Sequence, residues 1–448
     1  MGNLTLEELK SKIEMGKIDS VVLAFPDHLG QLMGKCLTGE YFLEKNQTNC
    51  CDYLLTINIK QEPLQGFKLS GWDKGYGDFV MIPDFSTIRE ITWQKQTVMI
   101  ICDLVDGDGN FVNIAPRSIL QKQCKRLLSK NMEAIMASEL EFFLFDNTYE
   151  SIHKEGLTCL TPSSHYSIDY NILHTGFNND FLREICNKIS LSGIPIESRK
   201  GEAGKGQYEI GLKYTSPIAM ADSHMVYKNG AKSIAEANGK SITFMAKYSD
   251  SDAGSSCHIH ISILEKETGH NLFIENGQES SLFKYFLGGL NALASEFFIF
   301  FAPTINSYKR FSCDSFAPTK ISWGYDNRTT SFRIVGENKG FRIENRLPGA
   351  DANPYLAFAA TIAAGLYGVE NKIEPPSILK GNQYLIDKLP KVPGTLKEAA
   401  ENLNNSKIAR DVFGDDVVEH YVRHARLEIE SYEKQVSQWE FERYFERI

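Results

Sequence analysis

Residues 258–263 read His258-Ile-His-Ile-Ser-Ile263. Side chains on a strand alternate between its two faces, so His258, His260 and Ser262 share one face and Ile259, Ile261 and Ile263 the other. Four more stretches have the same habit. Glu139 and Glu141 share a face against Leu140, Phe142 and Leu144; Gln207 and Glu209 against Tyr208, Ile210 and Leu212. Ser331 and Arg333 oppose Phe332 and Ile334, and Arg342, Glu344 and Arg346 oppose Ile343 and Leu347. One such strand reads as an ordinary sheet with a face in water. Five that carry Glu, His and Arg, rather than Lys, Thr and Ser, read as a sheet lining a polar cavity.

A cavity of that kind needs cations. Two carboxylates about 4 Å apart repel by roughly 4 kcal/mol at an effective dielectric near 20. Glu139, Glu141, Glu202, Glu209 and Glu344 cannot all ionise there unaided. An oxygen-rich ligand set with an imidazole suits Mg²⁺ or Mn²⁺ better than zinc. Arg310, Arg328, Arg333 and Arg346 match phosphate or carboxylate groups with their planar forks. Acids that hold metals opposite arginines point to phosphoryl transfer. No GxxxxGK[ST] or GxGxxG is present, and Gly201-Glu-Ala-Gly-Lys-Gly206 fits neither template. A nucleotide would therefore be held by something other than a P-loop or a Rossmann turn.

Around these strands the chain divides in two. Before residue 106 come an amphipathic helix over 4–17 and short β-type runs at 21–25, 53–57, 79–82 and 98–101. Asp106-Gly-Asp-Gly-Asn110 resembles part of a calcium loop. Phe111 and Arg117 stand where that loop needs Gly and Glu, so the reading is a turn at a domain junction. After Pro116 helices are expected near 117–130, 178–192, 216–239, 281–300, 354–370 and 415–440, alternating with the strands.

The 448 residues carry 48 Lys+Arg against 57 Asp+Glu, a net charge of −9, which argues against a nucleic-acid partner. Nine cysteines, with no metal-type CxxC pair, form no disulfide framework. The start, MGNLTLEELK, lacks the basic and apolar regions of a secretory signal, and Leu6 fits a myristoylation site poorly. The apolar stretch Phe286–Ile305 holds Asn291, Ser295 and Glu296, so it reads as a buried helix and not a bilayer span. The expectation is a reduced, cytoplasmic protein with no membrane partner.

These residues together resemble the glutamine synthetase family, in its bacterial type I-like branch. The resemblance is carried by Ser138-Glu-Leu-Glu-Phe142, Gly201-Glu-Ala-Gly-Lys-Gly-Gln-Tyr-Glu209, Gly254-Ser-Ser-Cys-His-Ile-His-Ile-Ser262, Asn306-Ser-Tyr-Lys-Arg310, Asp326-Asn-Arg328, Arg342-Ile-Glu-Asn-Arg346 and Ala352-Asn-Pro354. It implies an α+β fold: a β-grasp-like domain over 1–108, and a catalytic domain over 113–448 whose curved antiparallel sheet lines the metal and nucleotide cavity.

The resemblance also implies roles. Glu141, Glu202 and Glu209 look like the ligands of one divalent ion, and Glu139, His258 and Glu344 like those of a second, with two or three Mg²⁺ or Mn²⁺ ions per site. Glu197, His260, Ser262, Arg333, Lys339 and Arg342 match ATP-contacting positions. Arg328 matches the catalytic arginine on the transferring phosphoryl group, and Gly254, Arg310 and Arg346 match glutamate-binding positions. The family's reaction converts the glutamate side chain to γ-glutamyl phosphate, which an amine then attacks. Members form stacked rings, usually homo-dodecamers, with active sites between subunits. Tyr384 has no secure likeness to the adenylylated tyrosine of some members.

The departures are specific. Glutamine synthetases carry an acid in the flap after the Tyr-Lys-Arg motif; here Ser315-Phe-Ala-Pro318 places Phe316 there. The family's ammonium-binding Asp loop is unrecognisable around Leu69-Ser-Gly-Trp72, with Asp73 and Asp78 beyond it. Ala253 stands where a glutamate-contacting Asn is usual. Apolar area in place of carboxylates favours an amine with a carbon skeleton. This resembles the glutamate–amine ligases that make γ-glutamyl-polyamines, -monoamines or -methylamide, with Phe316, Trp72 and Tyr76 as candidate linings. The alternatives are an ordinary glutamine synthetase whose acid is Asp73, Asp78 or Glu202, and a non-catalytic assembly protein resembling lengsin.

Overall fold

The computed structural model describes residues 2–156, 159–172 and 178–448. Apolar alternation in the first part produces a sheet: β1 (Ser20–Pro26), β2 (Leu32–Thr38), β3 (Thr48–Cys51), β4 (Asp78–Pro83), β5 (Arg89–Glu90) and β6 (Thr97–Val105). Its order is β2-β1-β6-β4-β3, with β5 also on β6. β1 and β6 run parallel and the other pairs antiparallel. β6 is buried along most of its length, which accounts for its unbroken apolar run. The run Tyr53–Ile57 is not a strand. Residues Asp52–Leu55 form a 3-10 turn, closed by the Thr56 N–H donating to the Tyr53 carbonyl, and the Asp52 carboxylate accepts from Ser70 Oγ and the Gly77 N–H. Asp106–Asn110 is a tight turn in which the Asp106 carboxylate accepts from the Asp108 and Asn110 N–H groups.

The larger sheet comprises β7 (Met132–Phe145), β8 (Ile196–Gly201), β9 (Gln207–Leu212), β10 (Ser241–Thr243), β11 (Cys257–Glu265), β14 (Trp323–Tyr325), β15 (Phe332–Val335) and β16 (Arg342–Asn345). A separate small hairpin pairs β12 (Ile274–Glu275) with β13 (Gln278–Glu279). The path is β14-β15-β16-β11-β7-β9-β8, with β10 on the end of β7. All pairs are antiparallel except β14 with β15. The isoleucines of β11 are fully buried on the core side.

Helices Pro116–Leu128 and Pro217–Ala237 pack on β7 and Asn179–Leu191 on β8, while Pro354–Asn371 packs on the first two of these helices and on Ser281–Leu293. Ser281–Leu293 and Pro354–Asn371 pack backbone to backbone. A Cβ added at Gly289 would lie 2.1 Å from the Ala364 carbonyl oxygen, so glycine is what allows the crossing. Two helices are shorter than expected. The 281–300 helix ends at Leu293 and gives way to a 3-10 turn at Phe298–Phe300. The last long helix stops at Glu433; Ser437 and Glu440 then form a capping box that starts a new helix, Gln438–Tyr444. No helix among the described residues is long and apolar enough to cross a membrane.

One apolar core runs through both parts, and a buried ionic cluster also joins them. Arg117, nearly fully buried, reaches Asp84 and Asp103 at 2.6 Å each and Asp222 at 3.1 Å. Tyr355 donates to the same Asp222 at 2.6 Å. Three acids around one guanidinium offset its desolvation and keep it charged.

Candidate active site

Strand register assembles the polar face. Across adjacent strands, Arg333 sits opposite Glu344, Glu344 opposite His260, and His258 opposite Glu139. One step further along β7, Glu141 sits opposite Glu209, and Glu209 opposite Lys200. Residues far apart in the chain thus become cross-strand neighbours, at the spacing where side chains on one face interact.

Two acidic groups result. In one, an oxygen from each of Glu141, Glu202 and Glu209 lies within 4.8 Å of the others; in the second, an oxygen each of Glu139 and Glu344 and a ring nitrogen of His260 do. His258 flanks the second group, its Nδ1 at 3.5 Å from Glu139 and 3.4 Å from Glu344. His260 Nε2 lies 2.8 Å from Glu139 but off the line of a hydrogen bond, so that contact does not satisfy the nitrogen.

The electrostatics divide the same way. Burial, and then the neighbouring Glu202, push Glu141 up to about 7. Burial and the charges of Glu139, Glu202 and Glu141 push Glu209 up to about 9. Burial also acts on Glu139 and Glu344, but nearby histidines outweigh it: His258 and His260 hold Glu139 well below the usual carboxylate range, and His258 with Arg346 holds Glu344 down at about 2. Burial and the charge of Arg346 lower His258 to about 4. The first group has more carboxylate than it can ionise without added positive charge. That need, together with an all-oxygen donor set, fits a hard divalent cation.

Several residues hold the acids in place. Glu141 accepts from the Ser256 N–H and Oγ, both at 2.9 Å, and from Gln207 at 3.1 Å. Gln207 also donates to the Gly254 carbonyl at 2.9 Å. A Cβ at Gly254 would come within 2.6 Å of the Arg310 stem, so the glycine lets Arg310 lie close behind it. Arg310 donates to the Leu347 carbonyl and makes no ion pair among the described residues; burial lowers it to about 10. Arg346 donates to Glu344 at 2.5 Å and to the Phe316 carbonyl at 3.3 Å. Arg333 bridges Glu344 and Asp326. Arg342 donates to His260 Nδ1 at 3.0 Å, and Ser262 Oγ to the Phe341 carbonyl.

The remaining candidates lie at the margin. Arg328 and Lys339 are exposed on turns flanking β15 and have no ion pair among the described residues. Glu197 is exposed at the register shift of edge strand β8. Phe316 has a left-handed backbone (φ +58°) and is 61% exposed. Trp72, 77% exposed, stacks edge-on with Tyr76 at 5.1 Å. Their loop is tied to the last long helix by Arg423 to the Gln65 carbonyl and by Lys68 to Asp416. Among the described residues, no hydrogen bond or ion pair joins that loop to the two acidic groups. Sequence reading passed over Ser256 and Lys200. Lys200 was findable, because it stands two residues from Glu202 in the same extended stretch.

Residues 113–444 match the model of the glutamine synthetase catalytic domain. The chain belongs to the glutamine synthetase family. This family member is 44% identical over 448 residues to a γ-glutamylethanolamide synthetase of Streptomyces coelicolor, covering 99% of this chain and 96% of the relative. It is 36% identical to a glutamate–isopropylamine ligase of a Pseudomonas species, covering 98% of each. It also resembles the solved structure of GmaS without ligand, with a TM-score of 0.86 and 26% identity over 98% of this chain and 100% of that one.

Proposed function

We propose that this protein is a glutamate–amine ligase. It joins the side-chain carboxyl of L-glutamate to an organic amine and converts ATP to ADP and phosphate. Membership of the family supports the ligase chemistry, and one relative named for a γ-glutamylethanolamide product and another for joining glutamate to isopropylamine support an organic acceptor. The observation that carries the choice of acceptor is Phe316, an exposed phenyl ring anchored through its carbonyl to Arg346, in the flap where an ammonium-using enzyme carries an acid.

The residues work as follows in this reading. Arg310 and Arg346, with Gly254 making room, bind the carboxylates of glutamate. Arg333, Arg342, Lys339, His260, Ser262 and Glu197 bind and orient ATP. Arg328, exposed on its turn, reaches the phosphoryl group as it passes to the glutamate oxygen and stabilises the charge that develops there. Glu141, Glu202 and Glu209 would hold one divalent ion, and Glu139, His258 and Glu344 another. Such ions, Mg²⁺ or Mn²⁺, would supply positive charge to offset that of the phosphates. Ser256 and Gln207 fix the direction in which Glu141 points. The amine then attacks γ-glutamyl phosphate; its nitrogen forms the amide bond and gives up one proton to solvent, the C–O bond to phosphate breaks, and phosphate leaves.

The domain division at 108–113, a cytoplasmic location and a homo-dodecamer with sites between subunits complete the reading.

Phosphate release from ATP and glutamate, measured across a panel of amines with ammonium included, tests the proposal. Organic primary amines should stimulate release more than ammonium. Equal or better use of ammonium would identify an ordinary glutamine synthetase. The lengsin-like reading requires no Mg²⁺-dependent release with any amine.

A further inference from the structure

The three-carboxylate group already has a cation beside it. Lys200 lies on β8 opposite Glu209, and its Nζ contacts Glu202 directly. The same Nζ is 3.7 Å from Asp169 and 4.5 Å from the centre of the Tyr170 ring. The two carboxylates differ in setting. The Glu202 side chain is 15% exposed and faces the acidic group, whereas the Asp169 side chain is 46% exposed. One ammonium thus stands between an inner carboxylate and an outer carboxylate that has an aromatic face beside it. The outer position is a favourable place for a primary ammonium, because a nearby carboxylate and a ring face both attract it.

This arrangement has a consequence for metal loading. An ammonium on Glu202 and a divalent ion held by Glu141, Glu202 and Glu209 are like charges competing for one carboxylate. Lysine carries its charge on a flexible four-carbon stem, so it can move while β8 stays in place. We propose that Lys200 is a tethered counter-ion and an internal competitor for the cation. It neutralises Glu202 when no metal is present and shifts to Asp169 and Tyr170 when the metal binds. The inference rests on the reading that these three glutamates hold a divalent ion. It adds that the affinity of this site is set partly by a residue that is not a ligand.

Calorimetric titration of the full-length protein with Mn²⁺ alone tests this, with the site identified by its loss in Glu209→Gln. Lys200→Met should bind Mn²⁺ about tenfold more tightly, because the apparent affinity no longer carries the cost of displacing the ammonium. Without metal, Lys200→Met should melt at a lower temperature than the wild type; saturated with Mn²⁺, the two should melt alike. Asp169→Asn should weaken Mn²⁺ binding several-fold in the wild type and clearly less in Lys200→Met, since the outer position matters only when the lysine is present. Lys200→Gln serves the same purpose if the methionine variant folds poorly. Unchanged or weaker binding by both Lys200 variants would overturn the inference, as would an equal Asp169→Asn effect in the two backgrounds. Loss of Mn²⁺ binding in every protein, the wild type included, would overturn it together with the metal reading. Equal binding by wild type and variants would overturn it alone.

Discussion

In the proposed reading, Phe316 is the side chain that selects the amine. Its carbonyl is held by Arg346, and its side chain is 61% exposed. A phenyl ring gives a carbon skeleton apolar area and gives an ammonium ion no charge partner. Phe316→Glu should therefore raise the ratio of ammonium to organic-amine turnover by about tenfold or more, since one new charge-assisted contact is worth roughly 1.5–3 kcal/mol. The ratio of the two kcat/KM values measures this, and an unchanged ratio would remove the flap from the account of specificity. The departure at 316 was readable once the surrounding motif was recognised. The anchoring of its backbone was not, because Arg346 lies 30 residues away and its reach depends on the fold.

The alternation of apolar residues placed most strands of the larger sheet to within a few residues, and it failed where local hydrogen bonds outweighed it. Tyr53–Ile57 has the composition of a strand, yet Asp52, Ser70 and Gly77 tie it into a 3-10 turn. Val436 and Trp439 continue the helical spacing of the last long helix, yet the Ser437–Glu440 capping box breaks it. The helix pair Ser281–Leu293 and Pro354–Asn371 depends instead on a missing side chain. Gly289→Ala puts a methyl group against the Ala364 carbonyl and the Gly368 Cα, at 2.1 and 2.7 Å. It should destabilise the protein by about 1–3 kcal/mol, as overpacking usually does. A lower denaturation midpoint checks this; an unaltered one would mean that the helices separate at little cost.

For the molecule as a whole, the seam between the two parts is sensitive to acid. His28, on the turn after β1, packs against His424 at 4.1 Å and His420 at 5.9 Å between ring centres. His424 also contacts the Ile57 carbonyl at 3.0 Å. Burial lowers all three, His420 to about 3 and His424 to about 4. An unfolded histidine titrates near 6.5, so between that pH and about 4 the unfolded chain takes up protons that the folded chain refuses. Stability falls on acidification through this window, by up to about 1.4 kcal/mol per pH unit for each histidine, and these groups contribute no slope above it. Asp27 beside them opposes this, because burial raises it to about 7, and Glu141 and Glu209 in the acidic group act in the same sense: each raised carboxyl favours the folded state as pH falls. The seam's share is read by difference: between pH 7.5 and 5 the melting temperature of His420→Gln should change less towards instability than that of the wild type, and parallel curves would remove the seam histidines as the cause. The sequence by itself determined which residues are polar on which face of each strand, because alternation is a property of the local backbone. It also carried the motifs of the family and the loss of the flap acid. Only the tertiary structure decided that β16, β11, β7 and β9 lie side by side, bringing Glu344, His260, Glu139, Glu141 and Glu209 together. That order depends on backbone hydrogen bonds between stretches far apart in the chain and on the helices packed behind them, neither of which leaves a local mark.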